Sequence, residues 1–115
     1  MVRDEKISLF YRQYKQEFRE IIDYLSGMLF EYFPNIIENI KEDKLSYKMT
    51  SFGSMFNIKI CSDTVLFEIK KEFIIRNENI NSHIFKVKKG NYFLEYNSYK
   101  SIDKNLLHSI LINIR

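Results

Sequence analysis

The residues best placed by type to do chemistry lie in one string, Asp63-Thr64-Val65-Leu66-Phe67-Glu68-Ile69-Lys70. An Asp followed by Glu-x-Lys has the parts of a Mg²⁺ site in which two carboxylates hold the metal and a lysine orients the attacking water. That chemistry needs the carboxylates to converge from neighbouring strands. Here one extended segment carries both, separated by roughly 16 Å of chain and pointing to opposite faces. In a chain rich in Lys and Glu the string is a chance match. Cys61 with His83 or His108 could form a nucleophile and base, yet the three are scattered and no third orienting group stands near them in the sequence. One Cys and two His also fall short of a zinc site. The only glycines are Gly27, Gly53 and Gly90, so no phosphate-cradling loop is present. The expectation is a protein without catalytic, metal or cofactor chemistry.

Binding chemistry is better represented. Lys59, Lys70, Lys71, Arg76, Lys86, Lys88 and Lys89 fall on or beside segments that alternate as strands. Several alternate with apolar residues, which projects them from one sheet face. Such a face could neutralise phosphates, and Tyr92, Tyr96 or Tyr99 could stack on bases. The candidate nucleic-acid or partner surface is therefore Lys59, Lys70, Lys86, Lys88, Lys89 and Tyr96. Lysines on a solvated face also discourage edge pairing, and Glu68, Glu72 and Glu95 interrupt the patch.

A second binding candidate is a stripe. Ile7, Tyr11, Tyr14, Phe18, Ile21, Leu25, Met28 and Tyr32 recur in steps of four and three, which returns each to one helix face. The stripe must lie on this chain's own sheet or on a second copy. Tyr11, Tyr14, Phe18 and Leu25 are the candidate dimer contacts. Aromatic knobs suit a two-stranded coiled coil poorly, and Phe10, Ile22, Leu29 and Phe33 broaden the stripe as packing on a sheet requires.

These residues need elements to position them. The stripe predicts a long helix from about Asp4 to Phe33, stopped by Pro34, with Gly27 the place for a bend. Residues 35–44 offer a short amphipathic turn through Ile36, Ile37 and Ile40, and Lys41 to Lys44 read as a charged linker. From Leu45 the period becomes two, with strands expected at 46–52, 55–61, 65–76, 84–88 and 92–99. Ser62-Asp63 and Lys89-Gly90-Asn91 are turns, and Asn77 to Ser82 a polar loop. Ser101 is placed to cap a C-terminal helix over 101–115, although its β-branched tail leaves a strand open as well. The expected fold is α+β, one domain over 1–115. A long N-terminal helix (the helical region being residues 1–44) packs on an antiparallel meander of four to five strands (45–99), closed by a C-terminal helix (100–115).

The chain has 115 residues, a net charge of +3, ten Phe and eight Tyr, and no Ala. Abundant Ile, Lys and Asn without Ala is what an AT-rich genome writes, so a low-GC bacterium, its phage or another mobile element is the expected source. The first 44 residues carry seven basic and nine acidic groups, net −2, and the rest eleven and six, net +5. A lone cysteine favours a reducing compartment. With no apolar leader in the first ten residues, no disulfide pair and no span-length apolar run, a cytoplasmic location away from membranes is expected. The function these features favour is a small non-catalytic protein-interaction module, an inhibitor or accessory factor acting on a protein partner. The alternative is a nucleic-acid-binding protein using the basic sheet face, and a homodimer is compatible with either.

Overall fold

The computed structural model describes residues 5–49, 54–70 and 86–114. The stripe builds two helices instead of one long one, α1 (Glu5–Arg12) and α2 (Gln16–Tyr32). They part at Lys15, whose backbone is extended (φ −64°, ψ 157°). A single rod over the whole stripe would be about 42 Å long, more than the 38 Å longest extent of the molecule. Breaking it keeps both halves on the core: Ile7 and Phe10 are buried on α1, and Phe18, Ile21, Leu25 and Met28 on α2. Gly27 is not the bend, because α2 runs through it without interruption. Phe33 closes the helix by donating its N–H to the Leu29 carbonyl (2.8 Å), and Pro34 prevents continuation.

The segment expected to be a helical turn and linker is a strand. β1 (Ile37–Lys41) joins β2 (Lys44–Lys48) through the two-residue turn Glu42-Asp43, with φ of 52° and 63°. Positive φ at both central residues matches the right-handed twist of a hairpin. The helical region therefore ends at Tyr32, and the sheet begins before Leu45. It continues through β3 (Ser54–Cys61), β4 (Thr64–Ile69), β5 (Lys86–Lys88) and β6 (Asn91–Tyr96). Every pairing is antiparallel, in the order β1-β2-β3-β4-β6-β5. Two details correct the expected meander: the described residues hold six strands, and β6 inserts between β4 and β5. The insertion has a physical reason, since β6 carries the buried Leu94 and Tyr96 and needs a neighbour on each side. The expected continuation of the β4 strand to Arg76 and the loop 77–82 lie outside the described residues.

After β6 a one-turn 3-10 helix (Tyr99–Ser101) leads into α3 (Lys104–Ile112). Residues 104–112 are thus helix, not strand. Asp103, not Ser101, is the cap: its carboxylate accepts the Leu106 N–H at 3.0 Å. Ser101 serves the preceding turn, donating its hydroxyl to the Ser98 carbonyl (2.6 Å).

The helices pack on one face of the sheet. The row Leu45–Ile58–Phe67–Leu94 crosses four strands, with each member at most 1% exposed. It shares one cluster with Ile21, Ile22, Leu25 and Leu29 of α2 and with Leu107 and Ile110 of α3. Phe56 and Phe67 stack at 5.6 Å between ring centroids. An α+β class follows directly from this two-layer arrangement.

Candidate interaction surface

Because side chains alternate along a strand, the residues between these core positions form the opposite, outer face. Register arranges them in rows. Lys59 lies opposite Leu66, and Leu66 opposite Glu95. One row over, Asn57 faces Glu68, and Glu68 faces Phe93. Cys61 pairs with Thr64 at the sheet end. These residues and Lys44 line a shallow cleft of ≈ 370 Å³. Leu66 and Phe93 supply its apolar floor, with lysines toward β2 and β3 and carboxylates toward β4 and β6.

The centre of this face is built with care for its polar groups. Glu68 accepts hydrogen bonds from the side-chain amides of Asn57 (2.7 Å) and Asn91 (2.8 Å). Asn57 is buried, and its Oδ1 has no partner among the described residues. Ser46, also buried on this face, shares a hydrogen bond with Ser54 (2.9 Å). At the adjoining end of the sheet Lys41 lies opposite Lys44, and extending the Leu45↔Ile58 register sets Lys44 opposite Lys59. Like charges set side by side cost stability. The acidic turns Glu42-Asp43 and Ser62-Asp63 stand at the same end of the sheet.

Of the expected basic surface, Lys59 lines the cleft and Lys70 is half-buried just beyond β4. Lys89 is exposed in the β5–β6 turn with φ 54°. Lys86 and Lys88 form β5, pairing with Phe93 and Asn91, while Lys71 and Arg76 lie outside the described residues. Tyr96 is a correction. It is 5% exposed and sits on the core face, so its ring is not available for stacking. Burial, followed by the nearby Asp103 carboxylate, pushes its phenol well above the ordinary tyrosine range. Tyr92 continues the same core-facing row, and Tyr99 meets Tyr24 edge-on at 5.9 Å. Lys104 donates to the Tyr99 hydroxyl (2.9 Å) and lies over both rings.

The candidate dimer stripe is likewise drawn inward. Phe18 and Leu25 are buried in this chain's own core, and Tyr11 and Tyr14 pack against its margin. Among the described residues, the catalytic candidates do not come together. Asp63 sits in an exposed turn, and Cys61 opens onto the outer face. His108 is on α3, bonded through Nδ1 to the Tyr32 hydroxyl. His83 lies outside the described residues. No group of three His, Cys, Asp or Glu among the described residues could hold a metal ion, and none of the described helices is long and apolar enough to cross a membrane. No protein-family model, curated protein or solved structure matches the chain. Function must be read from this surface itself.

Two features were missed by sequence reasoning. One is the lysine pair Lys41 and Lys44, read as linker. The other is a polar knot on the core face, where Ser26 (3.0 Å) and Tyr47 both donate to the Glu38 carboxylate. Neither had a signal in the sequence, because Ile37 and Ile40 are three residues apart, a helical rather than a strand spacing.

Proposed function

We propose that this chain is a small non-catalytic protein-interaction module whose contact surface is the outer face of the sheet. The observation that carries the reading is the cleft across β2, β3, β4 and β6, where apolar Leu66 and Phe93 lie between lysines and carboxylates. An apolar floor with charges of both signs at its rim is the anatomy of a protein contact. The charges set register and reject wrong partners more than they add affinity. A role as an inhibitor or accessory factor encoded by a phage or other mobile element suits the size and composition.

The second reading, nucleic-acid binding, draws on the Lys41–Lys44–Lys59 row. Against it stand Glu42, Asp43, Asp63, Glu68 and Glu95, which break the positive field a polyanion needs. Titration of short labelled single- and double-stranded DNA and RNA across a salt series separates the two. The protein-contact reading expects no binding near physiological salt. Binding there that weakens steeply as salt rises overturns it in favour of the second. In parallel, cross-linking in cells compares the natural chain with folded Leu66→Asp. A partner retained by the first and lost by the second is the expected result, and an unchanged set of partners removes the outer face from consideration.

A further inference from the structure

We propose that the outer sheet face is the interface of a homodimer, with its twofold axis lying between the two sheets and running along β4 above Leu66. The proposal rests on the reading of this face as a contact surface and names its occupant as a second copy. Three consecutive cross-strand partners carry it: Lys59 on β3, Leu66 on β4 and Glu95 on β6. Neighbouring strands are about 4.8 Å apart, so the two charges stand about 10 Å from each other with an apolar residue midway. A twofold axis along the central strand exchanges the flanking strands. It therefore brings Lys59 of one copy over Glu95 of the other, twice, with Leu66 against Leu66. Charge complementarity of a surface with itself is what an isologous interface requires.

The other groups near the axis act in opposite directions. Phe93 extends the apolar centre beside Leu66. Glu68 also lies along the axis and would face its own copy, a like-charge contact that weakens the association even with its oxygens held by the Asn57 and Asn91 amides. The helix stripe does not compete for the role, because its central residues are buried within one copy. A face of six short strands offers about 500 Å² per copy by strand spacing and rise, below the roughly 800 Å² per partner of a standard interface. The dimer is accordingly a weak one, in exchange with single chains.

Sedimentation velocity over a concentration series, from about 10 μM to about 1 mM and at low and high salt, tests the proposal directly. The natural chain is expected to shift from one-chain to two-chain mass as concentration rises, and less so at high salt. Lys59→Glu alone and Glu95→Lys alone each set like charges face to face and are expected to weaken association at least about tenfold. An equimolar mixture of the two variants pairs opposite charges again at both contacts, and so does the double variant Lys59→Glu/Glu95→Lys. Both should recover the natural affinity to within about threefold. One-chain mass at every concentration overturns the proposal, and so does association that ignores both reversals or a mixture no tighter than its components. The contact-surface reading fails separately: a monomeric natural chain leaves it standing while Leu66→Asp still loses a cross-linked partner. If Leu66→Asp also retains every partner, both fall.

Discussion

The two faces of this sheet, built from alternate residues of the same strands, are made of different material. The inner face is a continuous apolar layer crossed by Leu45, Ile58, Phe67 and Leu94 and covered by α2 and α3. The outer face interleaves lysine, asparagine, glutamate, one leucine and one phenylalanine around an open cleft. Neighbours in sequence therefore have different tasks. Inward residues hold the fold and outward residues are free to be chosen for contact. The polar groups show the same division: Glu38 on the inner face is held by Ser26 and Tyr47 from a helix and a strand, whereas Glu68 on the outer face is held by two side chains of the sheet itself.

The sharpest way to break the comparison is to cut into the inner layer. Phe56→Ala removes a fully buried ring packed against Phe33 and Phe67, and should cost about 3–5 kcal/mol in urea unfolding. Next in size is Glu38→Ala, which removes the carboxylate that accepts from both Ser26 and the buried Tyr47. A loss of about 1–3 kcal/mol is expected by the same measurement.

A pH scan sharpens the inner-face account further. Tyr96 has its phenol pKa raised by burial and by Asp103. The folded state thus binds the phenolic proton more tightly than the unfolded chain, so the stabilisation is complete below the unfolded value. It is lost as pH rises past about 10 toward the folded one. Thermal stability should fall through that alkaline window, and Tyr96→Phe should flatten the fall. Smallest is a gain. Gly27 sits exposed inside α2, and a Cβ there would meet nothing within 4 Å. Gly27→Ala should raise stability by about 0.4–1 kcal/mol in chemical denaturation.

Much of this division is visible in the sequence, because a period of two declares both faces at once. Phe56, Ile58 and Ile60 against Asn57 and Lys59 read correctly, as do Val65, Phe67 and Ile69 against Glu68. The helix stripe also faces the core as its breadth implies. What could not be read depends on contacts distant in the chain. The break at Lys15 keeps both halves of the stripe on the core, and no breaker residue marks it in the sequence. The β1–β2 hairpin turns on Glu42-Asp43, neither of them the Asn or Gly that usually marks positive φ. Without that turn Lys41 and Lys44 looked like linker and β1 like a helical fragment. Tyr96 shows a different limit: its hydroxyl made it a surface candidate, while its register beside Val65 buries it. The Lys59–Leu66–Glu95 row joins three strands, and only their pairing brings it together.

The division of labour is tested most directly at one peptide bond, between Leu66 and Phe67. Urea unfolding of Leu66→Ala and Phe67→Ala, each at the same dilute protein concentration, compares the two faces at adjacent positions. Phe67→Ala should lose about 3–5 kcal/mol, and Leu66→Ala less than about 1 kcal/mol, as for a partly exposed strand position. Comparable losses would contradict the account, because the outer face would then belong to the stable core.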